Sequence, residues 1–461
     1  MDPSETMEAK IFLELTRIPR PSGHMEKING YLERFAEDNG LEHETDLSGN
    51  ILIRRSGIGK TIVLQGHQDM VPNSVREFDF VSSPISTTIQ DGWIRADGTT
   101  LGADDGGGLA LMLCALVSPE LEGASLECLF TTDEEIGLIG ASNLAPGWLR
   151  GRTMINLDSE DADEITIGSA GSTDITARFA LERTAAAGRM HRLRISGLLG
   201  GHSAAMIDSG RANAIALMAE CLLGMPDVRM TSIRGGTASN VIPSACVAEF
   251  FCGCDPEPYI DEFRQKARST FAGADPGIAF DLEEEDYSGT ALMEGSTRKV
   301  LDSILSCPNG PLELDPYGVR TSSNIGIVDG DVNGITIVIK PRSSDRDALD
   351  SLISDIASRF ADAGAEVSRS EKFPPWKEPE DSEMLKTAVE VYRRVFGKNP
   401  RVVSTHGGLE SSTIIDKHPG MRAISIGPTV LGAHTPEERM DLSTLSRMRE
   451  YLFELIRELG S

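Results

Sequence analysis

Aromatic residues and long apolar runs are both scarce in this sequence. Only 5% of the 461 residues are aromatic, although 40% are apolar in total, which is an ordinary proportion for a globular protein. No stretch approaches the ~18 uninterrupted apolar residues of a membrane span, so we exclude an integral membrane protein. The first residues, MDPSETMEAKIFLELTRIP, lack the basic segment and the small-residue cleavage site of a secretory signal. We therefore expect a cytoplasmic protein.

Basic residues are also few. The 44 lysines and arginines are outnumbered by 71 acidic residues, which leaves a formal net charge of −27. Such a negative field repels phosphate backbones and anionic lipid surfaces, so we expect neither nucleic acid nor a membrane as a partner. Cysteine is limited to seven residues, an odd number that is scattered except for Cys252 and Cys254. This usage favours reduced thiols over a disulfide framework.

The chain length predicts two domains, because it exceeds the roughly 250–300 residues that one hydrophobic core usually serves. Apolar runs at 61–65, 125–130, 153–157 and 422–426 alternate with helical segments, a pattern typical of a mainly parallel sheet covered by helices. Alternating strands and amphipathic helices in the middle of the chain predict an inserted α+β domain. We therefore predict an α/β fold with one discontinuous domain at 1–171 and 373–461. The insert would span 172–372 and contain two α+β layers.

Carboxylate and imidazole side chains follow the predicted strands at the points where the strands end. In an open α/β sheet the carboxyl ends of parallel strands meet at one crevice, so side chains from distant segments converge there. Any one of them could simply be a turn or capping residue. Together, so many acids would repel one another unless cations lay between them, and a two-metal hydrolytic site accounts for the whole set. The residues concerned are His67, Asp69, Asp104, Asp105, Glu134, Glu135, Asp158 and His434.

A series of motifs along nearly the whole chain makes a more specific prediction. They are IPRPSG at 18–23, GHQDMVP at 66–72, TLGADDGGG at 100–108, TTDEEIGLIGA at 131–141, NLDSED at 156–161, GGHSA at 200–204, GGTASNVIP at 235–243, RSS at 342–344, HGGLESS at 406–412 and GAHTPEE at 432–438. In this order they resemble the co-catalytic zinc aminoacylase/carboxypeptidase family of metallopeptidases. Within it they resemble most the aminoacyl-histidine dipeptidase (peptidase D, Xaa-His dipeptidase) branch. The sequence departs from that pattern at Ala204, where a glycine is common, and at Ser411, where this branch often has cysteine.

The resemblance implies a set of metal ligands. Asp104 would bridge two divalent ions. His67 and Asp158 would complete the ligands of one ion, and Glu135 and His434 those of the other. Imidazole and carboxylate together suit Zn²⁺, although Mn²⁺ or Co²⁺ would suit the same ligands. All five positions carry the residue types of the family.

The resemblance also implies catalytic and substrate-binding residues. Glu134 would be the general base towards a water that bridges the two metals, and Asp69 would orient a ligand histidine. The family has a catalytic metal-binding domain and a lid domain, and the lid matches the predicted insert. From the lid, His202 would reach towards the substrate carbonyl oxygen, and Asn240 and Arg342 towards the substrate carboxylate.

Two more residues are predicted near the substrate from their surroundings in the sequence. His406 precedes two glycines, which indicates a close approach of the backbone to a ligand, and the nearby Glu410 could pair with a free amino group. The remaining histidines have polar or turn-forming neighbours and no partner at ligand spacing, so we predict them at the surface. They are His24, His43, His191 and His418.

We therefore predict a metal-dependent dipeptidase that acts on a small peptide, with Xaa-His dipeptides as the class implied by the resemblance. The same ligands would serve an N-acyl amino acid amidohydrolase or a carboxypeptidase. A catalytically inactive binding protein is a further alternative, although no predicted ligand or base is missing. A homodimer is compatible with the sequence. The length of the insert predicts that His202 acts within its own chain.

Overall fold

The computed structural model describes residues 3–461, which form two compact units. The first unit comprises the described chain up to Gly168 together with Trp376–Ser404 and Leu409–Ser461. The second comprises Ser169–Pro375 and Thr405–Gly408. The helices are α1 (Met7–Leu15), α2 (Glu26–Asp38), α3 (Ala103–Val117), α4 (Ile139–Asn143), α5 (Ser203–Met206), α6 (Ala214–Leu223), α7 (Glu257–Thr270), α8 (Glu294–Ser306), α9 (Arg346–Asp362), α10 (Glu383–Phe396), α11 (Glu410–Lys417) and α12 (Leu442–Gly460).

The three longest strands, at Arg183–Ser196, Ala279–Leu292 and Gly318–Asp331, lie in the second unit. Those up to Gly168 or next to it are β1 (Glu42–Thr45), β2 (Ile51–Arg55), β3 (Ile58–His67), β4 (Thr87–Gln90), β5 (Trp93–Ala96), β6 (Ala124–Thr131), β7 (Thr153–Asn156) and β8 (Glu164–Ser169). The middle of the chain contributes β9 (Gly171–Ser172), β10 (Ile175–Phe179), β11 (Arg183–Ser196), β12 (Gly201–His202), β13 (Arg229–Gly235), β14 (Val241–Ile242), β15 (Cys246–Phe251), β16 (Ala279–Leu292), β17 (Gly310–Asp315), β18 (Gly318–Asp331), β19 (Gly334–Ser343) and β20 (Glu366–Arg369). The last strands are β21 (Trp376–Lys377), β22 (Arg401–Thr405), β23 (Arg422–Ser425), β24 (Val430–Leu431) and β25 (Arg439–Asp441).

The first unit is built on a mixed nine-stranded sheet in the order β1-β2-β6-β3-β7-β23-β8-β21, with β22 paired to β8. The four central strands β6, β3, β7 and β23 are parallel, whereas β1, β2 and β8 pair antiparallel at the flanks. The predicted α/β class is confirmed, and the parallel part is the centre of the sheet. Helices α3 and α12 pack against β3, whose residues Ile62, Val63 and Leu64 are fully buried. Strands covered by helices are buried on both faces, which explains their continuous apolar sequences.

The second unit contains a ten-stranded sheet in the order β16-β11-β15-β13-β18-β19-β10-β20, with β17 paired to β18 and β9 to β19. All of these pairs are antiparallel. Strand β19 of this sheet alternates between partly buried and buried residues over most of its length, because one face packs against helices. The buried face forms one apolar cluster with α6 and α9, which includes Leu193, Ile215, Phe250, Ile337 and Ile356. The α+β character predicted for the insert is therefore present, and its function as a lid stays a prediction.

Two histidines predicted at the surface are buried. His191 is 7% exposed because it lies on β11, where its ring packs against Phe250 at 5.6 Å between centroids. His418 is 1% exposed, and its Nδ1 lies 2.9 Å from the carbonyl oxygen of Ile414. Polar neighbours in sequence were misleading at both positions, since side chains on a strand alternate between faces and a helix end can be covered by other elements. None of the helices in residues 3–461 combines the length and the apolar character that a membrane span needs.

Candidate metal centre

Parallel strands of the first unit bring the predicted ligands to one edge of the sheet. His67 is the last residue of β3, and the register pairs it with Thr131, the last residue of β6. Strand β7 ends beside β3 at Asn156, which pairs with Gln65. The loops that leave these three strand ends carry further predicted site residues. The carboxylates on them are Asp69, Glu134, Glu135 and Asp158.

Asp104 lies between two imidazoles. Its Oδ1 is 2.9 Å from His67 Nε2, and its Oδ2 is 3.0 Å from His434 Nε2. Each histidine also faces a second carboxylate, since His67 Nε2 is 3.4 Å from Asp158 Oδ1 and His434 Nε2 is 3.1 Å from Glu135 Oε1. The five side chains therefore form two groups that share Asp104. The resemblance implies the same division into two sets of ligands.

Asp69 connects the loop after β6 to the end of β3. Its Oδ1 accepts a hydrogen bond from the backbone N–H of Glu134 at 3.0 Å, and its Oδ2 accepts one from that of Glu135 at 3.3 Å. The hydroxyl of Ser22 donates to Asp69 Oδ2 at 2.7 Å. Asp69 Oδ1 also lies 3.4 Å from His67 Nδ1. This one carboxylate thus holds the main chain at both glutamates and lies close to the His67 ring.

The carboxylates change the proton affinity of the two histidines. Burial by itself would lower the pKa of His67, but the charge of Asp158 and hydrogen bonds with the surrounding carboxylates raise it well above its usual value. Hydrogen bonds to Asp104 and to Glu135 raise the pKa of His434 to about 11. In the protein without metal, both imidazoles therefore hold protons among carboxylates. A divalent cation at the same place would supply the positive charge that these protons supply.

The pKa values of the neighbouring carboxyl groups shift in different directions. Burial raises the pKa of Asp158 to about 7 and that of Glu134 well above its usual value. Burial also opposes ionisation of Asp104, but hydrogen bonds from His434 and His67 lower its pKa. Single ligand atoms of His67, Asp104 and Glu135 lie within 4.8 Å of one another, close enough to hold one ion. The donors fit divalent metals, because imidazole and carboxylate are their common ligands.

Four of the other predicted site residues, His202, Asn240, Arg342 and His406, lie in the second unit. The side-chain amide of Asn240 is 3.3 Å from His202 Nε2. Arg342 is 5% exposed, its Nη1 donates to the carbonyl oxygen of His406 at 3.4 Å, and its Nε has no hydrogen-bond partner within residues 3–461. Burial lowers the pKa of Arg342 to about 10. His406 Nε2 shares a hydrogen bond of 2.7 Å with Ser322 Oγ. A buried guanidinium without an acidic contact in the described chain is suited to bind an anion.

His406 belongs to the second unit although its neighbours in sequence belong to the first. The predicted boundaries assigned the segment 373–461 to the discontinuous domain, whereas Thr405–Gly408 is part of the second unit. The backbone N–H of Ala170 donates to the carbonyl oxygens of Thr405 and Gly407 at 3.2 and 3.0 Å. These contacts and the Ser322 hydrogen bond attach the segment to the inserted sheet. A four-residue excursion of this kind leaves no compositional signal in the sequence.

Comparison with known proteins identifies the family. Residues 63–458 match the model of peptidase family M20/M25/M40. The chain belongs to this family. It is 33% identical to the cytosol non-specific dipeptidase of Escherichia coli (strain K12), over 97% of this chain and 96% of that protein. Among solved structures, the M20 chain is similar to an aminoacylhistidine dipeptidase from Vibrio alginolyticus, with a TM-score of 0.90 and 29% identity over 99% of this chain and 98% of that one. The aminopeptidase PepT of Bacillus cereus shares the fold at 17% identity and a TM-score of 0.59, over 99% of this chain and 98% of that one.

In this M20 chain, Glu410 is buried near the residues of the candidate metal centre and has one free oxygen. Its Oε2 accepts hydrogen bonds from Gln65 Nε2 at 2.7 Å and Thr131 Oγ1 at 2.5 Å, while Oε1 is buried without a partner. Burial raises its pKa to about 7, and attraction to His67 opposes this rise. Glu410 therefore belongs to the surroundings of the cluster. The sequence motif alone had connected it to His406, which lies in the other unit.

Two residues of the M20 chain that support the cluster received no function in the sequence analysis. They are Arg20, in the segment IPRPSG, and Glu438, the last residue of GAHTPEE. Both are 2% exposed. A buried charge is rare unless it is paired or hydrogen-bonded. The one available signal was their position inside the motifs that carry the family resemblance, of which GAHTPEE also holds the predicted ligand His434.

Proposed function

We propose that this chain is a metal-dependent dipeptidase whose substrates are short peptides of the Xaa-His class. The observation that carries the proposal is the position of Asp104, whose two oxygens each face a different histidine. The relatives add the substrate class, because one is named as a non-specific dipeptidase and another as an aminoacylhistidine dipeptidase. We also place the activity in the cytoplasm. The name of the E. coli relative and the seven unpaired thiols of this chain support that placement.

We assign two divalent ions to the cluster, with Zn²⁺ preferred and Mn²⁺ or Co²⁺ as alternatives. Asp104 would contact both ions. His67 and Asp158 would bind one of them, and Glu135 and His434 the other. Bound ions of this kind polarise a scissile carbonyl and lower the pKa of an attacking water.

Glu134 is the proposed general base. It lies beside Glu135 and next to the cluster, and its backbone N–H is held by Asp69. Burial raises the pKa of its carboxyl towards neutral pH. A general base is most efficient when its pKa lies near the working pH. Glu134 would take a proton from the attacking water at its carboxylate and deliver it to the leaving nitrogen. Asp69 would keep His67 oriented throughout.

We assign the substrate carboxylate and carbonyl oxygen to polar groups of the second unit, among which Arg342 is a buried cation without an acidic contact in the described chain. Arg342 and Asn240 would bind the substrate carboxylate, His406 would hold the main chain beside Arg342, and His202 would bind the carbonyl oxygen. The second unit would then be the lid domain that the resemblance implies. These assignments rest on the resemblance and on the lone guanidinium of Arg342.

Glu410 favours a dipeptidase over an N-acyl amino acid amidohydrolase. Its free Oε1 is an acceptor without a donor, and a protonated amino group of a peptide would supply that donor and a positive charge. An N-acetyl group has neither. The proposal therefore predicts that N-acetylation of a dipeptide lowers kcat/KM, and that Glu410→Gln reduces the difference between the free and the acetylated peptide.

The test combines metal counting with a dipeptide panel. The purified chain should hold two divalent ions and cleave dipeptides, with C-terminal histidine among the accepted residues. Asp104→Ala should lose both ions on dialysis, whereas His434→Ala should weaken one ion preferentially, because a bridging ligand serves both positions. If Asp104→Ala still held two ions per chain, the proposed ligand set would be wrong. A metal-loaded chain that cleaved no dipeptide would refute the proposed activity.

A further inference from the structure

Arg20 connects two of the segments that carry proposed ligands. Its Nη1 donates to the carbonyl oxygens of Gln68 and Asp69, each at 2.8 Å, directly after His67. Its Nη2 donates to the carbonyl oxygen of Gly102, two residues before the bridging aspartate. The planar guanidinium presents several donors in a fixed geometry. One side chain therefore joins the end of β3 to the loop that precedes α3.

Gly102 is required for this contact. Its φ is +70°, a left-handed conformation that favours glycine, and a Cβ at this position would lie 2.8 Å from Arg20 Nη2 and from Met70 Sδ. The main chain consequently approaches the guanidinium more closely than any other residue type would permit. The position of Asp104 follows from this approach, since only Ala103 separates it from Gly102.

Glu438 holds the opposite side of the same loop. Its Oε2 accepts hydrogen bonds from the N–H groups of Leu101 at 2.7 Å and Gly102 at 3.0 Å. Its Oε1 accepts from those of Ala103 at 2.7 Å and Asp104 at 3.3 Å. One carboxylate thus satisfies four consecutive backbone donors. Because Glu438 is four residues after His434, it also ties the His434 loop to the Asp104 loop.

We propose that Arg20 and Glu438 are positioning residues that hold the main chain at 101–104 from its carbonyl and amide sides, so that the Asp104 carboxylate stays between His67 and His434. We call this arrangement the Arg20/Glu438 clamp. Because it links the segments that carry ligands of both proposed ions, it raises the affinity for the two ions together. This inference rests on the proposed metal ligation. It adds the reason that the segment at 101–104 would present a bridging carboxylate at a defined place.

The charge of Arg20 supports the same role. It makes no ion pair in the described chain, but the carboxylates of Asp105, Asp69, Glu438 and Asp104 attract it in that order. A buried cation behind the cluster reduces the repulsion among the ligand carboxylates before any metal binds. Hydrogen bonds from such supporting residues typically contribute about 10–100-fold to metal affinity.

The test measures metal affinity in variants that keep side-chain size. In Glu438→Gln, an NH₂ group replaces one of the two carboxylate oxygens. Two of the four backbone N–H groups would then face a donor instead of an acceptor. Arg20→Lys keeps the charge but cannot reach three carbonyl oxygens, and Arg20→Met removes the charge as well. Each metal-free protein is checked by circular dichroism and thermal unfolding, and is then titrated with Zn²⁺ alone and with Co²⁺ alone.

A buried pair elsewhere in the first unit provides the matched control. Arg54 Nε lies 3.1 Å from Glu127 Oε1, and Glu127 Oε2 accepts hydrogen bonds from the backbone N–H groups of Arg150 and Gly151 at 2.9 Å. Both side chains are buried, as in the clamp. Arg54→Lys and Glu127→Gln should therefore lower the melting temperature without changing metal affinity.

We expect Glu438→Gln and Arg20→Met to bind both ions about 10–100-fold more weakly, with Arg20→Lys between Arg20→Met and the wild type. Folded Glu438→Gln and Arg20→Lys proteins with wild-type affinity would overturn the clamp, as would a loss confined to one ion. If Arg20→Met does not fold, the other two variants decide. Asp104→Ala separates the two proposals. Should it lose its ions while Glu438→Gln keeps them, the clamp alone is wrong; should it keep them, the ligand assignment is wrong.

Discussion

The two units surround their predicted site histidines with opposite charges. In the first unit, carboxylates raise the pKa of His67 and bring that of His434 to about 11. In the second unit, burial and the nearby Arg342 lower the pKa of His202 and bring that of His406 to about 4. The same side chain is therefore a charged partner of acids in one unit and a neutral group beside a cation in the other.

This difference indicates what each unit can bind. Crowded carboxylates with imidazoles favour a cation, whereas a buried arginine with neutral histidines favours an anion. Metal-dependent hydrolysis of a dipeptide requires both, because a cation polarises the scissile carbonyl and an anion site recognises the substrate carboxylate. Each of the following predictions tests one side of this contrast.

The largest expected effect concerns Glu134, the acid that we separate from the metal ligands. Glu134→Gln should lower kcat by about 10²–10⁴-fold, because it removes proton transfer. It should still hold two ions, since no proposed ligand is changed. Single-turnover rates and metal counts on the same sample check both parts. Near-normal turnover, or loss of an ion, would show that the division between ligands and base is wrong.

A smaller effect is expected at Arg342 in the second unit. Arg342→Met should lower kcat/KM for a dipeptide with a free carboxylate by about 10²–10³-fold, because truncation leaves a buried anion unpaired. The corresponding dipeptide amide should be cleaved equally by the variant and the wild type. Arg192→Met is the control, since Arg192 lies on an exposed face of the same sheet. An equal loss on the acid and the amide would exclude recognition of the carboxylate by Arg342.

The smallest effect is the pH dependence that His406 contributes to stability. Its folded pKa of about 4 lies below the unfolded value of about 6.5, so the unfolded chain binds the proton first on acidification. Its contribution is therefore present above pH 6.5 and is lost between pH 6.5 and 4, by at most about 3 kcal/mol. His406→Gln should remove this slope in urea unfolding. An NMR titration of His406 near pH 6.5 would contradict the prediction.

Much of the metal cluster could be predicted because its residues end strands. His67, Glu134, Glu135 and Asp158 each follow an apolar run, and parallel strands deliver such residues to one edge whatever the details of packing. The central strands were recognised for the same reason. Asp104 and His434 came from motifs instead, and the structure brings them within 3.0 Å of each other.

The supporting residues could not be predicted in this way. Arg20 and Glu438 bond to main-chain carbonyl and amide groups, which every residue carries, so no partner type marks these contacts in the sequence. His191 and His418 were placed wrongly because burial depends on which elements cover a position. The excursion of His406 into the second unit has the same origin.

The sequence by itself determined the α/β class, the order of the elements and the chemistry available at the ends of the central strands, because hydrophobic periodicity and residue type are local properties. The tertiary structure alone decided which oxygen of Asp104 faces which histidine, and that Arg342 is buried without an acidic contact in residues 3–461. It also decided that two buried side chains hold the loop at 101–104. These features depend on distances of a few ångströms between segments far apart in the chain, and those distances are set by packing rather than by any local pattern.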